Sequence, residues 1–276
     1  MTDLTLSKKA LSEAPLRDFA SRVVEVLAAD HRFSGLLAGG SAIAGNTDAY
    51  SDLDLILIVR EEAYAEVLGQ RRTFAETLGP LLYAFTGEHV GEPRLLICLY
   101  GGPLLHVDLK FVTLEDLDQR VEDPLILWDR DGLVAARLAG GKAQWPNRPP
   151  EWFEERVWIW LHYAATKLGR GELLEVLDML AFLRAQVLGP LALRRAQVDQ
   201  RGVRRLETVA PESATALADT LGDPSARGCA TALRQAVRLY LDFRADIPPA
   251  NHRPQHEADV QEYVEAVIGR ALQAPA

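Results

Sequence analysis

Asp52 and Asp54 flank Leu53 at the head of the apolar run Leu55-Ile56-Leu57-Ile58-Val59, a short stretch after Gly39-Gly40-Ser41. Carboxylates two residues apart on a strand project to one face, where two ionised groups repel unless a cation sits between them. The run behind them is apolar at both parities, which predicts a strand buried on both faces. The pair therefore stands where a buried strand emerges, a natural place for a divalent metal ion. The glycine turn upstream offers backbone N–H groups to an anion such as a phosphate. Together the two features point to metal-assisted chemistry on a nucleoside triphosphate.

A third carboxylate fits the same scheme. If Leu104-Leu105-His106-Val107-Asp108-Leu109-Lys110-Phe111-Val112 is a strand, Asp108 shares a face with His106 and Lys110, and Val107, Leu109 and Phe111 take the other. For Asp108 to join Asp52 and Asp54, its strand must pair beside theirs. Nucleotidyl transfer uses such an arrangement. Two divalent ions about 3.5–4 Å apart clamp the attacking and leaving oxygens, and Mg²⁺ favours a few carboxylates together with phosphate oxygens and water.

Gly39-Gly40-Ser41, then Asp52-Leu53-Asp54-Leu55, then Asp108 on a later strand, resembles the signature of the nucleotidyltransferase superfamily with the polymerase-β-like fold. With its helical second half the chain is similar to the small antibiotic-modifying members, the aminoglycoside and lincosamide adenylyltransferases. The resemblance implies that Gly39, Gly40 and Ser41 hold the triphosphate, with Ser41 and the amides of Gly40 and Ser41 at its β/γ end. It implies two Mg²⁺ ions, both bound by Asp52 and Asp54, with Asp108 on the ion nearer the acceptor hydroxyl. Glu88 or Glu92, in the polar stretch before the hairpin, or Asp108 itself, would serve as general base. The activity implied is transfer of AMP from ATP to a hydroxyl of a small molecule, an aminoglycoside-like antibiotic among the candidates. Two alternatives keep the same site: a protein-AMPylating, antitoxin-like enzyme, and a catalytically silent nucleotide-binding module.

Positioning these groups requires a mixed α/β first half and a helical second half. The pattern predicts a helix over 16–29, a strand over 35–38 running into the glycine turn, a strand over 52–60 and a helix over 61–78. Arg94–Tyr100 and Leu104–Val112 surround Gly101-Gly102-Pro103 and predict an antiparallel hairpin. A last short strand is expected over 124–128. Gly140-Gly141-Lys142 and the segment Trp145-Pro146-Asn147-Arg148-Pro149-Pro150 read as a linker. Helices follow over 151–168, 172–188, 190–200, 211–221, 225–245 and 255–272. The fold class expected is α+β: a mixed-sheet catalytic domain over 1–141, then an α-helical bundle over 151–276 that binds substrate or nucleotide. In that bundle Tyr163 and Lys167 are i, i+4 neighbours, from which Lys167 could reach a phosphate.

Composition narrows the class. The net charge of −9 argues against a nucleic-acid partner, which needs a basic face. The two cysteines, Cys98 and Cys229, have neither C-x-x-C nor zinc spacing and are expected as reduced thiols in a cytoplasmic protein. Met1-Thr2-Asp3-Leu4-Thr5-Leu6 lacks the basic and apolar regions of a signal peptide. No segment is expected to reach the roughly 20 apolar residues of a membrane span. The expected partners are therefore a nucleoside triphosphate and a small hydroxyl-bearing acceptor, without membrane or nucleic acid, and the oligomeric state stays open.

Overall fold

The computed structural model describes residues 11–273, so the N-terminal hexapeptide lies outside the described residues. The chain forms two compact units, Met1–Trp145 and Pro146–Ala276.

The first unit contains α1 (Ala14–Ala29), β1 (Phe33–Ala38), β2 (Leu53–Val59), α2 (Tyr64–Thr77), β3 (Leu81–Gly87), β4 (Glu92–Tyr100), β5 (Leu105–Val112), β6 (Leu125–Asp129) and α3 (Leu133–Ala139). The six strands make one sheet in the order β3-β4-β5-β2-β1-β6. β2 and β5 run parallel, and the other neighbouring pairs are antiparallel.

One face of the sheet carries α1 and α2. Phe19, Val23, Leu27 and Phe74 pack there with Leu53, Leu55, Leu57, Leu109 and Phe111. The opposite face is covered over the C-terminal ends of β2 and β5, where Leu117 and Val134 pack on Leu37, Ile58 and Val112. The side chains of β2 follow this division. Leu53, Leu55 and Leu57 are buried while Asp54 and Ile56 are half-buried, and Ile58 and Val59 are buried in succession. A run apolar at both parities thus begins where the second layer starts, just past the acidic pair. α3 lies so close to β1 that a Cβ at Gly35 would stand 2.6 Å from Val134 Cγ2, so the layer closes only over glycine.

β4 and β5 form the expected hairpin, with Tyr100 opposite Leu105 and Cys98 opposite Val107. β3 adds a strand that the pattern does not predict. It sits at the sheet edge with Tyr83 and Phe85 exposed, so it has no buried face to impose alternation. α3 was likewise not expected.

The second unit is a helical bundle of α4 (Pro150–Gly169), α5 (Leu173–Arg195), α6 (Pro211–Ala218), α7 (Ala226–Arg244) and α8 (Pro254–Gln273), with a short helical turn at Leu206–Val209. Its core includes Val157, Leu161, Leu180, Leu233, Tyr240 and Ile268. The break expected at Gly189-Pro190 does not occur. Proline lacks the N–H that would bond back one turn, and the preceding segment Arg184–Leu188 widens into a π-turn that carries the helix through. The resulting 23-residue helix is, by length and composition, apolar enough to cross a membrane, contrary to the expectation that no segment would be. Its Val176, Leu180, Leu183, Val187 and Leu188 are buried in the bundle core. Both cysteines are free and buried, and burial pushes the Cys98 thiol up to about 12.

Candidate metal and phosphate site

Asp54 and Asp108 are direct partners across the parallel β2–β5 ladder. Residues opposite one another in a ladder point to the same face, and here that is the face left open beyond Ile58 and Val112. Asp52 precedes β2 by one residue. Asp52 and Asp54, close in sequence, therefore meet the distant Asp108 where the two strands run side by side.

The Asp108 carboxyl lies above the ordinary aspartate range. Burial is the main cause and the charge of Asp52 adds to it, while His106 works in the opposite sense. His106 Nε2 is 3.0 Å from Asp108 Oδ1 and holds that carboxylate from the solvent side. A half-buried aspartate beside a second negative charge is a group that a cation would stabilise.

The glycine turn lies directly over the pair. Gly39 N–H donates to the Asp54 carbonyl at 2.9 Å, which ties the turn to the first residues of β2. Gly40 then adopts φ +57°, and a Cβ there would fall 2.0 Å from Asp54 Oδ2. The missing side chain lets the Asp54 carboxylate lie against the turn, and Ser41 follows in the 3-10 turn Gly40–Ala42. Gly40→Ala should cost about 1–2 kcal/mol through the left-handed backbone and turn the Asp54 carboxylate away from Asp108. Thermal unfolding measures the first effect, and metal affinity should fall with the second.

The two candidate bases are engaged elsewhere. Glu92 accepts from Arg94 Nε at 2.7 Å and is 2.8 Å from Lys110 Nζ. Arg94 above all, with Lys110 supporting it against the effect of burial, holds the Glu92 carboxyl down to about 2. Glu88 is exposed and accepts a hydrogen bond from the Thr86 hydroxyl, which also lowers its pKa.

Lys167 belongs to the helical unit. Its ammonium is 2.7 Å from Glu172 and 3.0 Å from Glu175, and those two carboxylates raise its pKa. Tyr163 donates to Glu175 in the same group. A second acidic grouping, Glu154, His252 and Glu257, already encloses a cation. Arg244 Nη1 lies 3.2 Å from Glu154 and 2.7 Å from Glu257.

One residue of the site gives no signal in the sequence. Glu122, in the loop before β6, accepts the Gly40 N–H at 3.0 Å. It lies in an acidic loop without periodicity, and only the β1–β6 pairing brings it to the turn.

No protein-family model and no curated protein matches the sequence. Among solved structures the chain is similar to an aminoglycoside 6-adenyltransferase from Bacillus subtilis, at 14% identity and a TM-score of 0.42, over 92% of this chain and 98% of that one. It is also similar to a nucleotidyltransferase-like protein from Exiguobacterium sibiricum 255-15, at 11% identity and a TM-score of 0.37, over 92% of this chain and 91% of that one.

Proposed function

We propose that the chain is a Mg²⁺-dependent nucleotidyltransferase that moves AMP from ATP to a hydroxyl of a small molecule. One observation carries this reading: Asp54 and Asp108 stand side by side on parallel strands, with the Gly39-Gly40 turn over Asp54.

The donor set suits a divalent cation. Asp52, Asp54 and Asp108 are hard oxygen ligands, the aspartate least willing to ionise alone has a second acidic charge beside it, and glycine lets the Asp54 carboxylate lie against the turn. Asp52, Asp54 and Asp108 would hold Mg²⁺. When bound, the metal neutralises phosphate charge and lowers the pKa of the acceptor hydroxyl. The chain's own groups do the rest. The amides of Gly40 and Ser41 would bind the polyphosphate, and the rigid β2–β5 ladder would fix the acids relative to it.

Among the three acids considered as base, Asp108 is best matched. It stands beside Asp54 in the ladder, whereas Glu92 is held at about 2, too low to take a proton efficiently near neutral pH. Lys167 could contribute only by leaving Glu172 and Glu175.

The test is transfer from α-labelled nucleotide in the presence of Mg²⁺, with a panel of hydroxyl compounds that includes aminoglycosides. Labelled small molecule and released pyrophosphate are the expected products, with ATP preferred over the other nucleoside triphosphates. Label on protein bands instead would move the acceptor to a polypeptide. No pyrophosphate from any combination would leave only a silent module.

A further inference from the structure

Glu122 occupies the amide that the proposed function assigns to phosphate, and its placement is built into the fold. β6 pairs with β1, with Leu125 opposite Ala38, so the strand that ends in the glycine turn lies alongside the strand that starts after Glu122. The loop is tied down at its base by Arg120, whose side chain is 7% exposed. Arg120 donates to the Leu117 and Leu138 carbonyls and to the Asp123 carboxylate. A Cβ on Gly39 would stand 3.1 Å from Glu122 Oε1 and 3.5 Å from Asp54 Cβ, so this glycine separates two acidic side chains.

We propose that Glu122 sets nucleotide affinity by competing for the phosphate-binding turn: its carboxylate holds the Gly40 N–H in the resting protein and gives it up when a polyphosphate enters. This rests on reading the turn as a phosphate site. The physical reason is direct. One N–H serves one strong acceptor at a time, and a carboxylate and a phosphate oxygen are both anionic acceptors. The two also repel, and the nearby Asp54 adds to the negative field. A ligand must therefore bring several competing oxygens and the metal that offsets their charge, so a triphosphate with Mg²⁺ displaces Glu122 better than the metal-free nucleotide.

Glu122→Gln keeps the shape and removes the charge. In calorimetric titration with Mg²⁺ and a non-hydrolysable ATP analogue, the variant should bind at least about threefold tighter than the wild type, with a smaller gain at high salt. In ¹⁵N-labelled protein the Gly40 amide resonance should move on the same substitution, and thermal unfolding shows that both proteins are folded. Equal or weaker binding by Glu122→Gln, with wild-type binding intact, overturns the competition and leaves the nucleotide site standing. An unmoved Gly40 resonance overturns the contact itself. If neither folded protein binds the analogue, the phosphate reading falls and the competition falls with it.

Discussion

Asp54→Asn should reduce nucleotidyl transfer by about a hundred- to a thousandfold while the protein remains folded. Removing one preorganised electrostatic group from an active site commonly costs about 10²–10³ in rate, and Asp54 is the acid shared by the glycine turn and the Asp108 ladder position. Asp108→Asn should match it in lost activity and differ in stability. The Asp108 carboxyl is raised in the folded state, chiefly by burial, so its ionised form disfavours the fold at neutral pH. The sign follows: the folded wild type binds the extra proton more readily than the unfolded chain, and its stability increases as pH falls through that raised value. Asp108→Asn lacks this dependence and should melt at a higher temperature than wild type at pH 7. Transfer assays and thermal unfolding at pH 7 and pH 4 check both statements. A destabilised Asp108→Asn with full activity would mark Asp108 as an ordinary structural aspartate.

The largest stability effect should come from Arg244→Ala in the helical unit, about 3–5 kcal/mol, as for other buried ion pairs left with one partner. Arg244 Nη1 lies between Glu154 and Glu257. The Glu154 side chain is 6% exposed. Its remaining bonds come from the Tyr240 hydroxyl and from Trp158 Nε1 at 3.0 Å, and His252 Nε2 is 2.7 Å from Glu257. Burial raises the Glu257 carboxyl, but Arg244 and His252 outweigh it and hold the net value down. Without the guanidinium, the buried Glu154 and the half-buried Glu257 lose the cation that lies between them. The Glu257 pKa should then rise, so the variant should recover part of its stability as pH falls while the wild type loses stability through Glu257. Denaturant unfolding across pH, with Glu154→Gln/Arg244→Met as the paired control, separates lost charge balance from lost packing.

The sequence shows the chemistry of the site more clearly than its assembly. Asp52, Asp54 and the alternation around Asp108 are local patterns, and a strand displays them directly. The parallel pairing of β2 with β5 is not local, and the sequence could state it only as a requirement. Tyr83 and Phe85 conceal β3, because an edge strand with exposed aromatics has no buried parity to mark it. Pro190 suggests a helix end, yet a π-turn absorbs its missing donor, and a punctuating residue reads the same in either case. Glu122 is beyond reach, since a loop acid acquires meaning only from the strand that carries it to Gly40.

The side-by-side strands that hold Asp54 and Asp108 enclose the whole α2–β3–β4 excursion, so this ladder closes a much longer loop than its antiparallel neighbours β1–β2 and β4–β5. The acids are brought into mutual repulsion by that same closure. The candidate site of the first unit therefore waits on a long-range closure during folding, and it cannot exist before β2 and β5 have paired. A chain that has not finished the sheet would hold Asp108 apart from the Asp52 and Asp54 pair and from the glycine turn against Asp54.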